Sequence, residues 1–593
     1  MCTAIHVPCT MMSLRATCGR VRLALPAARQ AVFAASRSRA VHCVPKACAS
    51  SSDSNGHSPS QPFTVTTPLY YVNAAPHMGS AYPTIAADAI ARFQRLQGRQ
   101  VTFITGTDEH GEKIALAAAK RGMEPKQHCD DIVASYKQLW QDLDIGYDSF
   151  IRTTDARHEA LVCSLLERVW AAGDIYKANY EGFYCVDCEE YKDEADMDAD
   201  NNCPVHRKKC VSRKEENYFF ALSKYQAQLE ELCSSPDFVQ PESRRNEVLG
   251  WVKSGVRDFS ISRAAVEWGI PIPRDPKQTV YVWFDALNGY LSGLLPETAS
   301  PDASPEALAS AGWPASMHII GKDILRFHAV YWPAMLLSAG LPPPRRVFGH
   351  GFLTKDGLKM GKSLGNVLEP TALVAAYGAD AVRYYFLREI VFGQDGDFSE
   401  ERFRNIVNAN LANDVGNLLN RTLNLLKKNC GGALPIDTAA IPTDHPLRVL
   451  AAEKVPAVAD GFTRLRFDHA CEAALSISGR GNQYLEETAP WTAFKKGSDE
   501  QKVEAAAVLA AVLEAVRVVA VLLSPVTPSL SSRIYQQLGF SQEQFEALSW
   551  ADTQWGTLQQ GHATPQPVPV LQRLEGDLVA EPQPAAAAVA GKP

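Results

Sequence analysis

"FTVTTPLYYVNAAPHMGSAYPTIAADAIARFQRLQGRQVTFIT", residues 63–105, decides the fold. The β-branched run "FTVTT" reads as a strand. After a loop, Ile85, Ala89, Phe93 and Leu96 recur near the 3.6-residue period of a helix, which Gly98 closes. "VTFIT" (101–105) reads as a second strand. Strand, helix and strand in this order make a βαβ unit, with a right-handed crossover and a parallel sheet. Ligands of such sheets sit beyond the carboxyl ends of the strands. "YYVNAAPHMGS" (70–80) and "GTDEHGE" (106–112) both fall there.

The chain has 593 residues, which exceeds one core and implies several domains. It is 46% hydrophobic and 21% charged, the composition of a soluble globular protein. No uninterrupted apolar run reaches the ~18–20 residues of a bilayer span, so no membrane partner is expected. The net charge of -7 requires any nucleic acid to meet a local basic patch. Residues 1–52 contain no Asp or Glu but carry Arg15, Arg20, Arg22, Arg29, Arg37, Arg39 and Lys46. An acid-poor leader of this kind reads as an organelle transit peptide, for plastid or mitochondrion. Outside the leader the cysteines are scattered except for one cluster, which gives no disulfide framework.

Residues 180–216 are polar and cysteine-bearing, like an inserted module. "YVWFDA" (281–286), "MHIIG" (317–321) and "VFGHGFLT" (347–354) resume the α/β pattern, and from about 400 to 540 the periodicity is helical. The stretch after 555, rich in Pro, Ala and Gln, reads as disordered.

Three stretches carry chemistry. A helix N-terminus after "PHMGS" would attract phosphate, Gly79 would allow close approach, and His77 could donate to phosphate oxygens. Ser80 is a good N-cap. Taken alone, this stretch is better explained by a plain capped turn. "LTKDGLKMGKSLGN" (353–366) adds Lys359 and Lys362 on a glycine-rich segment, suited to charge developing on a leaving polyphosphate. The third stretch pairs Cys185 with Cys188 and Cys203 with His206. That spacing matches a tetrahedral structural zinc site, with Cys210 nearby but surplus.

The order of "PHMGS" and "KMGKS" resembles the class I aminoacyl-tRNA synthetases, whose HIGH and KMSKS motifs they echo. Within the class, "TTPLYYVNAAPHMG", "FITGTDEHGE", "YVWFDALNGY", "GKDILRFHAVYWPAML" and "GHGFLTKDGLKMGKS" are similar to the methionyl-tRNA synthetases. Ser80 departs from the last His of HIGH and Gly361 from the first Ser of KMSKS; His77, Gly79, Lys359 and Lys362 remain. The resemblance implies catalytic and ATP-binding roles for His77, Gly79, Ser80 and Lys362, with Lys359 assisting. It implies a methionine pocket of Leu69, Tyr71, Trp283, Ala286, Tyr290 and His328, with Asp108 holding the α-ammonium. Leu287 and Pro68 vary between branches. Core packing would also account for Trp283, Tyr290 and Trp332; for Trp332 both readings stand. Asn417 and Arg421 share a helix face and, with Trp491, match residues that read the methionine anticodon.

The implied fold is a Rossmann-like parallel-sheet catalytic domain, split by a zinc-binding insertion and followed by an all-α anticodon-binding bundle. The implied boundaries are 1–60 (transit peptide and linker), 61–173 and 261–365 (catalytic halves), 174–260 (insertion), 366–400 (stem contact), 401–550 (bundle) and 551–593 (mostly disordered tail). The implied reaction joins methionine to its tRNA with ATP, carried with Mg2+, and one structural Zn2+, in a monomer. A ligase for leucine, valine, isoleucine or cysteine and a non-catalytic tRNA-binding relative are the alternatives. The lack of a long editing insertion argues against the first, and the retained His77 and Lys362 against the second.

Overall fold

A computed structural model describes residues 62–186, 189–192, 197–203, 207–296, 304–355, 357–360 and 367–575, with the backbone alone at Tyr180 and Lys359. The leader, Cys188, His206, Gly361 and Lys362 lie outside the described residues.

Six strands form one parallel sheet: β1 (Phe63–Tyr71), β2 (Val101–Asp108), β3 (Ser149–Arg152), β4 (Val239–Gln240), β5 (Met317–Gly321) and β6 (Val347–His350). Their order is β3-β2-β1-β5-β6-β4. The chain builds outward from β1 on one side and returns on the other through β5, so the switch point lies between β1 and β5. Strands covered on both faces must be apolar throughout, and Val65, Phe103, Ile104, Ile319 and Ile320 are all buried. Pro68 cannot donate to the ladder; the register of β1 against β2 shifts between Thr66 and Leu69, and Tyr71 then pairs with Asp108. The helix α1 (Met78–Leu96) returns across the sheet with almost every side chain up to Ala91 buried.

β4 lies inside the stretch assigned by sequence to the insertion, yet it pairs with β6 at the sheet edge. The insertion proper is a small antiparallel sheet centred on Ile175–Cys185, which pairs with Glu190–Lys192 and Val211–Phe220. Asp88 of α1 and Arg383 of the helix Ala379–Glu389 meet at 2.6 Å with neither side chain exposed. The same guanidinium donates to the carbonyls of Pro525 and Val526. It thus ties the parallel-sheet domain, the helix Ala379–Glu389 and the bundle together.

The bundle packs Asn417–Cys430, Pro446–Thr463 and Phe467–Thr488 around the helix Asp499–Leu523. That last helix is long and apolar enough to cross a bilayer by length and composition, its apolar run interrupted by Glu514 and Arg517, but it is a core helix, almost wholly covered by its neighbours. It carries a buried ion pair, Glu514–Arg517 at 2.7 Å. The stretch 551–575 departs from the disorder expected for the tail. Glu514 accepts from the amides of Gly556, Thr557 and Leu558, and Arg517 donates to the carbonyls of Asp552 and Gln554. Leu558 and Val570 are buried. Backbone bonds to a buried pair hold this strap, which is why its weak hydrophobicity misleads.

Candidate active site

β1 ends at Tyr71, and its loop delivers His77 to the start of α1. His77, not Ser80, is the N-cap: its Nδ1 accepts from the Gly79 amide at 3.0 Å. An accepting Nδ1 puts the proton of the neutral ring on Nε2, on an exposed side chain. A Cβ on Gly79 would stand 2.7 Å from the imidazole Cε1, so a side chain there would displace the ring from its capping position. Ser80 falls inside the first turn, 4% exposed and beside Tyr136, so its hydroxyl faces the core and not a phosphate. The amides of Ser80 and Ala81 already bond the His77 carbonyl.

Asp108 closes β2 opposite Tyr71. It is 5% exposed, and its Oδ1 is buried with no hydrogen-bond partner. Burial, then the nearby carboxylates of Asp285 and Glu189, hold its pKa well above the usual range. The surrounding acids are satisfied. Glu109 takes Arg152 in a two-pronged contact at 2.7 and 2.8 Å, with Thr107 and Thr154 at 2.6 Å each. Asp285 lies between His110 at 2.7 Å and His158 at 2.6 Å. Burial raises the Asp285 pKa, but the two imidazoles outweigh it and hold the group below its ordinary value.

The aromatic wall starts from a π-helical turn, Phe327–Tyr331, that carries His328. Such turns re-aim side chains and cluster at functional sites. Trp283 stacks on Phe327 with centroids 4.0 Å apart. His328 Nδ1 donates to the Ile324 carbonyl at 2.9 Å, which leaves Nε2 to accept the Tyr290 hydroxyl at 2.7 Å. Complete burial lowers the His328 pKa to about 4, so the ring is neutral at physiological pH. Tyr290 in turn senses Leu69 and Asp108. Ala286 is buried at the end of the short helix Val282–Ala286, with Leu287 behind it. Leu69, Tyr71, Asp108, Trp283, Ala286, Tyr290 and His328 therefore converge at the ends of β1 and β2. Trp332 stands one layer back: it is fully buried and donates to His318 Nε2 at 3.3 Å.

Sequence reading missed His318, Asp285, His110 and His158. The charged residue inside the apolar run "YVWFDALNGY" is the signal that could have exposed the last three, because a buried Asp requires partners.

The hairpin before the twin-lysine segment is anchored at its base. Its strand Leu353–Lys355 pairs with Gly396–Phe398, and Asp397 accepts from Thr354 at 2.7 Å and from the Gly357 amide at 2.8 Å. Lys359 belongs to the return strand Leu358–Lys359.

Cys185, Cys203 and Cys210 are buried in one small cluster, and none of the described cysteines forms a disulfide. Cys210, surplus by spacing, is thus part of the cluster. Among the described residues no set of three acid, His or Cys side chains is placed to hold a metal ion. The donor chemistry, soft thiolates with an imidazole in sequence, fits zinc.

In the bundle, Arg421 lies 5.8 Å over the Trp491 ring and pairs with Glu486 at 2.6 Å. Asn417 is exposed one turn earlier on the same helix. Directly before it runs a π-helical stretch, Asn408–Gly416.

The model of the class I (M) tRNA synthetases matches residues 63–211 and 192–423, and that of the anticodon-binding domain of methionyl-tRNA ligase matches 434–587. The chain is 59% identical to the chloroplastic/mitochondrial methionine–tRNA ligase of Arabidopsis thaliana over 529 residues, 89% of this chain and 85% of the relative. It is 55% identical to the methionine–tRNA ligase of Nostoc sp., covering 86% and 97%. A structure of Mycobacterium tuberculosis methionyl-tRNA synthetase in complex with methionyl-adenylate superposes with a TM-score of 0.82 at 41% identity, over 86% of this chain and 100% of that one. The apo form of that enzyme superposes with a TM-score of 0.76 at 38% identity, over 87% and 99%. Sheet, pocket, bundle and these matches agree, and the chain belongs to the class I methionyl-tRNA synthetases.

Proposed function

We propose that the chain activates methionine with ATP and transfers it to methionine tRNA, in an organelle and as a monomer. One observation carries the reading: a buried carboxylate with an unbonded oxygen, Asp108, beside an aromatic, neutral pocket. An α-ammonium would satisfy Asp108. A thioether suits walls of Trp283, Tyr290 and His328 that present no net charge. The methionine carboxylate then attacks the α-phosphorus of ATP in line, and pyrophosphate departs with the electron pair of the broken P–O bond. His77 donates from Nε2 to the phosphates. Lys362, with Lys359, neutralises the departing pyrophosphate, and the magnesium carried with ATP adds charge neutralisation. The terminal adenosine hydroxyl of the tRNA next takes the methionyl group and releases AMP. Catalysis of this kind is positioning and electrostatics.

The motif departures fit an active site. Ser80 is buried away from the phosphates, so loss of a second histidine leaves His77 in place. Glycine at 361 leaves both motif lysines, Lys359 and Lys362, in the sequence. Arg421 and Trp491 form a cation–aromatic platform for an unpaired anticodon base, with Asn417 supplying edge contacts. Cys185, Cys188, Cys203 and His206 would hold a structural zinc that cross-links the turns of the insertion.

Methionine-dependent ATP–pyrophosphate exchange tests the reading. Exchange with methionine alone among the amino acids is the expected result; exchange with leucine, valine, isoleucine or cysteine instead would overturn it. Lys362→Ala should abolish adenylate formation while tRNA still binds.

A further inference from the structure

The strand Ile175–Cys185 pairs with Glu190–Lys192, with Cys185 opposite Glu190, and the Glu189 amide bonds the Val186 carbonyl at 3.3 Å. In sequence the second cysteine of the C-x-x-C pair stands directly before Glu189. Glu189 has φ of 54°, the left-handed region that glycine favours. A glutamate is held in that region only where its surroundings over-determine it. The surroundings belong to another part of the molecule. Glu189 is 4% exposed and projects out of the insertion into the catalytic domain. Its Oε1 lies 3.0 Å from Tyr71 Oη and accepts the Lys113 amide at 2.8 Å. Its Oε2 accepts from the Tyr184 hydroxyl. Tyr71 is also 2.9 Å from the His110 carbonyl, so two acceptors fix its hydroxyl on the Asp108 side of the pocket. Gly111, at φ 111°, makes the approach feasible: a Cβ there would overlap Tyr71 Oη and stand 2.8 Å from Glu189 Oε1. A second tie, Arg213 to Glu112 at 2.6 Å, docks the same module beside the first.

We infer that Glu189 is a positioning residue of the methionine site, through which the cysteine-bearing insertion sets methionine affinity. Glu189 touches no reacting atom. It holds the Tyr71 ring in place, and its own backbone is held at the end of the insertion strand, by the Val186 carbonyl and the pairing of Cys185 with Glu190. The position of that strand end is therefore communicated to the amino-acid pocket and not to the ATP side, where His77 stands on a different element.

The test uses the full chain. Glu189→Ala removes the acceptor and should raise the methionine Kd and KM by about 10- to 100-fold, the range for hydrogen bonds to charged groups. The ATP KM should stay within about twofold and tRNA affinity should be unchanged, as for loss of a contact that serves one substrate. Glu189→Gln keeps an acceptor oxygen for Tyr71 and the Lys113 amide and should recover most of the affinity. Tyr71→Phe should reproduce the loss, and the Tyr71→Phe/Glu189→Ala pair should be no worse than either alone. Stripping zinc with a chelator should weaken methionine binding in the parent and add nothing in Glu189→Ala. Additive losses, equal damage to ATP and methionine, or an unchanged methionine Kd in Glu189→Ala would each overturn the inference. It rests on the methionine reading, and the two fail differently: a parent that binds no methionine defeats that reading, whereas a parent that binds it with an indifferent Glu189 defeats only this one.

Discussion

Replacing Asp108 by Asn isolates the electrostatic core of the site. The substitution keeps size and removes a charge whose partner is missing: Oδ1 is buried and unbonded, with Asp285 and Glu189 nearby. In the bound state the same carboxylate would face the methionine ammonium. Breaking a buried pair of that kind costs about 3–5 kcal/mol, so the methionine KM should rise roughly 150- to 4,000-fold at nearly constant ATP KM. The sign for the unliganded protein is opposite. The folded pKa of Asp108 is raised, so the folded chain binds more protons than the unfolded one above pH ~4. The native residue therefore becomes progressively more destabilising as pH rises through that window, and Asp108→Asn should melt higher than the parent at pH 7, with a smaller gain at pH 5. Methionine binding to the parent should release a proton, and its affinity should strengthen as pH rises toward the shifted pKa. Exchange kinetics, calorimetry in buffers of different ionisation enthalpy and thermal melts read these effects. An Asn variant that binds methionine within threefold of the parent, or melts lower without ligand, would refute the assignment.

Trp491→Ala should leave methionine-dependent exchange intact and raise the tRNA KM in aminoacylation about 5- to 150-fold, the worth of one stacked base. Glu514→Ala strands Arg517 in the bundle core; it should destabilise the fold by about 3–5 kcal/mol and expose the strap 551–575 to limited proteolysis at lower temperature than the parent. Metal analysis of the purified chain should give one zinc per molecule, lost on chelation together with part of the thermal stability.

The βαβ unit, the turn at His77 and the helical bundle were legible because each is written locally, in periods of two and 3.6 residues and in turn residues. The site was legible only as far as motifs reach. His110, His158 and Asp285 are bonded across 127 to 175 residues of sequence, and no local pattern announces such a cluster. Ser80 read as the cap because serine caps well, but the histidine three residues earlier offers a ring nitrogen that reaches the Gly79 amide first. β4 is two residues long and joins the sheet only through parallel pairing with β6, a contact that alternation of side chains cannot reveal. The strap at 551–575 failed for a different reason: its fixation is through backbone amides on Glu514, and composition is blind to backbone acceptors.

Four carboxylates converge where β1 and β2 end, and their partners assign the substrate's charge by elimination. Glu109 is satisfied by Arg152 and two threonines, Asp285 by two histidines, and Glu189 by Tyr71, Tyr184 and an amide. Asp108 alone retains a buried oxygen with nothing to accept from. An unmet buried acceptor costs about 1–3 kcal/mol, which a ligand recovers only by bringing a donor. Across the pocket His328 is neutral and its Nε2 is already occupied by Tyr290, so nothing there rewards a charged side chain. The site therefore selects a cation at one end and an apolar chain at the other. A methionine analogue that keeps the ammonium but has an amide in place of the carboxylate should compete with methionine in exchange without being activated. The analogue that keeps the thioether and carboxylate but lacks the amino group should fail to compete. If the second competes as well as the first, the ammonium contact is not what holds the substrate, and the elimination that points to Asp108 is wrong.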